Sequence, residues 1–257
     1  MGAPFFRFKQ FTVWHDQCAM KVGTDGVLLG AWCPLPFRAS ERVRVLDVGV
    51  GSGLIALMIA QRLHQRGDVF SVCGLDIDHA AVEQSHINFQ QSPWAECLTS
   101  QLCRLQDFSG EQLFELIVSN PPYFQNSLKN PNQARATARH TETLSYRELI
   151  AHTKRLLADN GVLALVLPSD AEQEIMALAQ EYHLTPTHIT YVHSKPGKVA
   201  KRILIAFTHQ ESKPHARGSH QQDQHKDITP MATHFYIESD TAPRSEEYQT
   251  LTQDFYL

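Results

Sequence analysis

The chain has 257 residues, of which 42% are hydrophobic and 19% charged, with 23 Lys and Arg against 27 Asp and Glu. This composition excludes wholesale disorder, and the length is sufficient for a continuous core. No run approaches the ~18 apolar residues that cross a bilayer, and the first residues lack the pattern of a secretory signal. We expect a cytoplasmic monomer, and the net charge of −4 still permits a local basic patch.

Cysteine and histidine patterns favour neither a disulfide framework nor a metal site. The five cysteines form no C-x-x-C pair and are odd in number. Three histidines (His215, His220, His225) recur every five residues in a polar run. Side chains share a helix face at a spacing of three or four residues, so this run indicates a solvated linker. We therefore expect no metal.

Short apolar runs alternate with helical patterns from about Val43 onward, which is typical of a parallel sheet with crossover helices. We predict an α/β fold with a doubly wound, mostly parallel seven-stranded sheet. The predicted strands are 42–48, 69–77, 96–105, 114–120, 162–168, 187–193 and 202–207. The last two are joined by a short segment with Pro and Gly, which predicts an antiparallel hairpin at the sheet edge.

Helix starts are marked by capping residues. The S-x-x-E pattern predicts capping boxes at Ser145 with Glu148 and at Ser169 with Glu172, and Gly161 is expected to stop the first of these helices. Asp78 is predicted to cap an earlier helix, because Asp at that position satisfies free backbone donors.

The composition divides the chain into three segments. Residues 1–208 form the predicted α/β domain with an N-terminal extension. Residues 209–230 read as a polar, flexible loop without large aliphatic side chains. Residues 231–257 regain aromatic and apolar side chains, so we expect them to pack back on the domain.

A glycine-rich turn follows the first of the predicted strands. Asp47, Gly49, Gly51 and Gly53 lie in LDVGVGSGL, where glycines allow a tight turn and close approach of a ligand to the main chain. The spacing is G-x-G-x-G and differs from the G-x-G-x-x-G pattern of a dinucleotide pyrophosphate site. A glycine turn alone is a weak signal, since such turns also occur where nothing binds.

Two carboxylates make this turn more informative. Asp76 ends the next strand, 25 residues after Gly51, where a carboxylate can accept both ribose hydroxyls. Asp107 follows the third strand and could accept a hydrogen bond from the adenine amine. The pattern predicts an adenosine site without a phosphate cradle, and S-adenosylmethionine has this chemistry.

The sequence Asn120-Pro121-Pro122-Tyr123 directly follows the fourth predicted strand, beside the crevice where such sheets bind ligands. The simpler interpretation of these four residues is a diproline turn that ends the strand. However, the Asn120 amide oxygen and the Pro121 carbonyl could both accept N–H bonds of an exocyclic amine and direct its lone pair. Pro122 adds rigidity and no competing donor, and Tyr123 could stack on a flipped base. These four residues are our catalytic candidates.

These motifs resemble the class I methyltransferases, in LDVGVGSG, GLDID and NPPY. A more specific resemblance is to the tRNA adenine-N6 methyltransferases that act on valine tRNA, 3′ of the anticodon. It rests on four segments together, FRFKQFTVWHDQCAMKVGTDGVLLGAW, NPPYFQNS, ARHTETLSYREL and the terminal DFYL. The resemblance covers nearly the whole chain. It implies S-adenosylmethionine as methyl donor, N6-methyladenosine in tRNA as product, and Lys21, Thr24 and Asp25 over the methionine part of the cofactor.

Basic residues cluster in three places that could form a positive rim for tRNA phosphates. These RNA-binding candidates are Arg7, Lys9, Arg139, Lys195, Lys198, Lys201 and Arg202. A solvated surface is an equally good interpretation of any one of them. The aromatic residues interleaved with Arg7 and Lys9 are expected in the core somewhat more than on RNA.

Two other functions remain open from the residues. NPPY also serves amide nitrogens, so a glutamine N5 methyltransferase acting on a translation factor is an alternative; the lack of an extra N-terminal helical domain counts against it. A DNA adenine methyltransferase would need a larger target-recognition domain. From another class, the chain could be an RNA-binding protein with a vestigial cofactor pocket.

Overall fold

The computed structural model describes residues 3–18, 21–37, 42–110, 112–121, 144–210 and 231–257. The strands are β1 Phe5–Arg7, β2 Thr12–Trp14, β3 Val43–Val48, β4 Phe70–Asp76, β5 Leu98–Leu102, β6 Phe114–Ser119, β7 Leu157–Pro168, β8 Leu184–His193, β9 Ala200–His209 and β10 Met231–Tyr236. The helices are α1 Thr24–Trp32, α2 Leu54–Arg66, α3 His79–Gln90, α4 Tyr146–Leu156, α5 Glu172–Glu181 and α6 Glu246–Thr252.

The main sheet has the strand order β10-β8-β9-β7-β6-β3-β4-β5, and β1 pairs with β2 in a separate two-stranded sheet. Its neighbours pair in parallel except β9, which runs antiparallel to both β7 and β8. Helices cover both faces, over two clusters of buried apolar side chains. The predicted α/β fold class, with a mostly parallel sheet and an antiparallel pair, is confirmed.

Within the described residues the sheet has eight strands, one more than the predicted seven. The additional strand is β10, whose residues Met231–Tyr236 pair in parallel with His188–His193 of β8. The antiparallel β8–β9 hairpin is therefore one strand in from the sheet edge, which corrects the prediction that it forms the edge. A strand with unpaired backbone groups is a template for another strand, and here the chain's own C-terminal segment provides it.

The capping prediction is confirmed at Ser145, whose side chain accepts a bond from the N–H of Glu148 while the Glu148 carboxylate accepts from Ser145. Asp78 likewise caps α3, accepting a 3.0 Å bond from the N–H of Ala80. The helix after Ser145 ends at Leu156, earlier than the predicted stop at Gly161. The reason is that buried Leu157 pairs with Phe114 as the first residue of β7.

The second predicted capping box does not form. The Ser169 hydroxyl donates a 2.7 Å bond to the carbonyl of Ala200 on β9. The Glu172 carboxylate instead accepts a 2.6 Å bond from the Tyr191 hydroxyl on β8. Tertiary partners across the sheet thus replace the local pair, and a short 3₁₀ turn precedes α5.

Residues near the two ends of the chain pack against each other in one of the buried clusters. Phe8 is 1% exposed and stacks on Phe11 and on Tyr256, with ring centroids 4.7 and 5.9 Å apart. The expectation of core packing is therefore right for Phe8 and Phe11, whereas Phe5 and Phe6 are exposed. In the part of the chain that the structure describes, no helix has the length and apolar character needed to cross a membrane.

Candidate cofactor and substrate site

The glycine turn between β3 and α2 requires its glycines for two different reasons. Gly49, Gly51 and Gly53 have φ values of +77°, +51° and +81°. A Cβ added to Gly49 or Gly51 would meet nothing within 4 Å, whereas one on Gly53 would lie 2.5 Å from the Phe89 ring. The first two glycines therefore leave open space for a ligand, and the third allows α2 to pack against α3.

Asp76, at the end of β4, holds this turn in place. Its carboxylate accepts a 2.9 Å bond from the N–H of Gly51 and a 3.0 Å bond from the N–H of Asp78. The N–H groups of Gly49 and Val50 also bond to the carbonyl of Leu75. The turn is consequently fixed by the neighbouring strand before any ligand arrives.

Asp47 lies beneath the turn and is fully buried. One carboxylate oxygen accepts a 3.1 Å bond from the N–H of Ala56 in α2, and the other has no hydrogen-bond partner within the described residues. Burial raises the Asp47 pKa to about 8; the Ala56 bond opposes this shift, and the charge of Asp76 adds to it. Asp47 is not among the described residues that line the two cavities beside the turn, so the structure does not bring this predicted cofactor-binding residue into either of them.

A cavity of about 310 Å³ lies on the β4 side of the turn, and we call it the adenosine-side cavity after the predicted ligand. Asp76, Ile77 and Gln106 line it together with Gly49 and Gly51, so it offers a carboxylate and an apolar contact to an adenosine. Asp107 is exposed and does not line this cavity, although the preceding residue does. The structure therefore brings Asp76 to the predicted adenosine site and leaves Asp107 beside it.

A second cavity of about 360 Å³ lies on the α1 side of the turn, and we call it the methionine-side cavity after the predicted ligand. Lys21, Thr24 and Asp25 line it, so all three residues that were implied for the methionine part face one space. Arg202, which the sequence grouped with the RNA-binding candidates, also lines this cavity. Its guanidinium lies 2.5 Å from the Asp25 carboxylate.

Asn120 and Pro121 line both cavities, as do Gly49 and Gly51. Asn120 directly follows β6, and the preceding Ser119 hydroxyl donates a 2.7 Å bond to the carbonyl of Val48 on β3. This bond ties the start of NPPY to the strand that leads into the glycine turn. Pro121 is buried. The candidates Pro122 and Tyr123 lie outside the described residues.

The basic candidates occupy different surfaces. Arg7 is exposed on β1, and Lys9 donates a 2.6 Å bond to the carbonyl of Gln253 near the C-terminus. Lys195, Lys198 and Lys201 are exposed around the β8–β9 connection. Arg139 lies outside the described residues. Among the residues that are described, no group of three or more His, Cys, Asp or Glu could hold a metal ion.

Sequence reasoning missed several residues that line the adenosine-side cavity, including Cys18, Ile77 and Gln106. Ile77 follows Asp76 directly, so its place after a strand end was a usable signal. Cys18 reaches the cavity because the N-terminal segment runs along α3, where Gln84 accepts a 3.1 Å bond from the N–H of Gln17. Local sequence carried no sign of that contact.

Comparison with known proteins agrees with this geometry. A family model described as "Methyltransferase small domain" matches residues 35–187. A tRNA1(Val) (adenine(37)-N6)-methyltransferase of Phocaeicola vulgatus is 43% identical over 100% of this chain and 99% of its own length. One of Aeromonas salmonicida, with the same name, is 42% identical over 98% and 97%. The chain belongs to this methyltransferase family.

Solved structures support the fold of this methyltransferase. A predicted O-methyltransferase of Agrobacterium tumefaciens superposes with a TM-score of 0.62 at 14% identity, covering 90% of this chain and 96% of the other. A putative class I S-adenosylmethionine-dependent methyltransferase of Listeria monocytogenes gives a TM-score of 0.56 at 12% identity, with coverage of 91% and 71%.

The methyl donor is S-adenosylmethionine, and the residues of the site fit it. Gly49 and Gly51 leave open space at the turn, and Asp76 faces the adenosine-side cavity. No phosphate cradle is needed, because this molecule carries no phosphate.

Proposed function

We propose that this protein methylates the exocyclic N6 amine of an adenine in tRNA, at the position 3′ of the anticodon in valine tRNA. The observation that carries the proposal is the position of Asn120 and Pro121, which line both cavities at their junction. An amine held there meets two acceptors beside the cofactor space. The full-length relatives named for this reaction support the same substrate. A cytoplasmic, monomeric enzyme is part of the proposal.

Each residue has a separate task in this reaction. When bound, S-adenosylmethionine supplies an electrophilic methyl group; the N–C bond forms as the S–C bond breaks, and the amine releases a proton to solvent. Asn120 and the Pro121 carbonyl accept the two N–H bonds of the amine and direct its lone pair. Asp76 accepts from the ribose, and Lys21, Thr24 and Asp25 surround the methionine part. Positioning and aimed dipoles supply the rate, so no strong base is required.

The Pro122 and Tyr123 assignments complete the proposal. Pro122 fixes the backbone after the accepting carbonyl, because a proline ring restricts φ. Tyr123 stacks on the adenine once it leaves the anticodon loop, as base-modifying enzymes require an accessible base. Tyr123→Phe would keep stacking and retain activity, whereas Tyr123→Ala would raise the KM for tRNA.

The test is methyl transfer from radiolabelled S-adenosylmethionine to unmodified total tRNA, followed by digestion to nucleosides. We expect label in N6-methyladenosine with the wild-type protein. Asn120→Ala should lower kcat by orders of magnitude while calorimetric affinity for S-adenosylmethionine stays within a few-fold. Total protein serves as a parallel acceptor. Label in protein alone would support glutamine methylation instead, and full turnover by Asn120→Ala would refute the role of that amide.

A further inference from the structure

We propose that four aromatic side chains at the carboxyl ends of β8 and β10 form a platform on which unpaired nucleotides of the tRNA anticodon arm stack. This proposal rests on the proposed function and extends it to substrate recognition. The members of this edge platform are Tyr191, His193, His234 and Tyr236. Motif reasoning assigned no role to any of them.

The four rings form one continuous array across the two strands. Tyr191 stacks on His234 with ring centroids 5.3 Å apart, and His193 stacks on Tyr236 at 4.9 Å. His193 and His234 connect the two pairs, with centroids 5.1 Å apart. His234 is exposed and the other three rings are half-buried. Since every base has a π-face, such an array suits nucleotides without regard to sequence.

Hydrogen bonds order the platform before RNA binds. His193 Nδ1 lies 2.6 Å from the carbonyl of Lys198, which only accepts, so that nitrogen carries the proton. His193 Nε2 lies 2.9 Å from His234 Nδ1. The Tyr191 hydroxyl donates to Glu172 at 2.6 Å. Rings that are held in place lose little side-chain entropy when a base stacks on them.

Three lysines lie on one side of the platform. Lys195, Lys198 and Lys201 are exposed on the adjoining β8–β9 connection. None of the three forms an ion pair with the residues that the structure describes. Carboxylates also lie near the platform, since Glu172 accepts from the Tyr191 hydroxyl and Glu247 from the N–H of Tyr236. The positive charge is therefore on the side of the β8–β9 connection. Aromatic rings beside exposed lysines fit RNA, whose bases stack and whose phosphates pair with the ammonium groups.

The platform lies on the same edge of the sheet as the methyl-transfer site. β8 runs parallel to β6, because β9 is antiparallel to both β8 and β7. Strand spacing of about 4.8 Å places β8 about 14 Å and β10 about 19 Å across the sheet from Asn120. Val192 of β8 is level with Pro168 of β7, because both pair with Arg202 of β9. Pro168 lies three residues beyond Leu165, which pairs with Ser119 of β6. Val192 is therefore about 10 Å farther along the strand direction than Ser119. The platform thus stands beside the pocket mouth within reach of nucleotides that flank the target adenine.

The experiment compares tRNA binding and turnover in substituted full-length proteins. His234→Ala combined with Tyr236→Ala should raise both the Kd and the KM for unmodified tRNA on the order of tenfold or more, because each lost base–aromatic stack weakens binding several-fold. At saturating tRNA, kcat should stay within twofold. Calorimetric affinity for S-adenosylmethionine should not change, which also reports correct folding.

Matched variants separate stacking from general disturbance of the surface. Tyr236→Phe and His234→Phe keep a ring and should bind tRNA within about threefold of wild type. His79→Ala removes an exposed histidine on α3, away from the platform, and should bind as wild type does. Lys195→Ala with Lys198→Ala and Lys201→Ala should weaken binding and flatten its dependence on salt.

Wild-type methylation of tRNA, measured in parallel, separates this proposal from the proposed function. If wild type methylates tRNA and the doubly substituted platform binds it within twofold of wild type, the platform proposal is overturned while the function stands. If wild type binds tRNA through the platform but labels no adenine, the function fails and the platform is retained. Equal losses in the Phe and Ala variants would also overturn stacking.

Discussion

The backbone N–H of Gly51 donates a 2.9 Å hydrogen bond to the carboxylate of Asp76, and this bond joins the glycine turn to the end of β4. The other carboxylate oxygen accepts from the N–H of Asp78, which caps α3. One side chain therefore shapes the turn, supports a helix start and faces the adenosine-side cavity.

Replacing Asp76 should weaken cofactor binding more than a single lost ligand contact would. In Asp76→Asn, the amide nitrogen must face one of the two backbone N–H donors, so one bond is lost together with the charge. We expect the Kd for S-adenosylmethionine to rise about ten- to a hundredfold, measured by calorimetry. Glu83→Gln, on the exposed surface of α3, is the control and should bind normally. Unchanged affinity in Asp76→Asn would contradict this role.

Asp47 should make the cofactor-free protein less stable as pH rises. Its folded pKa of about 8 exceeds the value of about 4 for an unfolded Asp, so between these values the folded state holds a proton that the unfolded state has lost. This contribution to the free energy of unfolding is complete below about pH 4 and declines toward pH 8. The Asp47→Asn variant has no ionisable group at this position, so it should not show this dependence of stability on pH.

The measurement is the Tm of both cofactor-free proteins between pH 5 and pH 9. The Tm of Asp47→Asn relative to wild type should rise through this range and level off above about pH 8. If the Tm values of the two proteins changed in parallel with pH, a raised pKa for Asp47 would be contradicted.

Gly53 and Gly197 provide a matched pair for separating backbone strain from collision. Both have positive φ, +81° at Gly53 and +74° at Gly197. A Cβ added to Gly53 would lie 2.5 Å from the Phe89 ring, whereas one added to Gly197 would meet nothing within 4 Å. Gly197→Ala should cost about 1–2 kcal/mol of unfolding free energy. Gly53→Ala should cost a further ~1–3 kcal/mol from overpacking. Chemical denaturation measures both, and equal losses would argue against the collision.

Arg202 can be assigned to the cofactor or to the RNA by a double-mutant cycle. Its guanidinium lies beside Asp25 in the methionine-side cavity. We expect Arg202→Ala and Asp25→Ala to be coupled in S-adenosylmethionine affinity by about 0.5–3 kcal/mol, as contacting residues usually are. An Arg202→Ala variant that loses only tRNA affinity would restore the original RNA-binding hypothesis.

Much of this arrangement could be predicted because the signals were local. The glycine turn, Asp76 and NPPY each follow a strand of strong apolar character, and the topology of such sheets places strand ends at one edge. The Ser145 capping box likewise lies within four residues. The predictions failed where the local structure depends on partners that are distant in sequence. Ser169 and Glu172 bond to β9 and β8 instead of to each other, and β10 joins the sheet through pairing with residues about 43 positions earlier.

The edge platform was missed for the same reason. His193 and His234 are separated by 41 residues in sequence and meet only because β10 lies beside β8. Neither histidine belongs to a motif or to a helical spacing. Single side chains of this kind become informative when strand register is known.

The direction of β9 offers a practical opportunity. This strand leaves the carboxyl edge at Ala200 and, over ten residues, descends about 30 Å to His209 at the opposite edge. The chain rejoins the sheet at Met231, level with His188. The junction at His209 is thus at the edge opposite Asn120, whereas the junction at Met231 is level with Val118 of β6 and leads into the edge platform. A fluorescent reporter or an affinity handle inserted directly after Gln210 would therefore join the domain at the edge opposite the pocket.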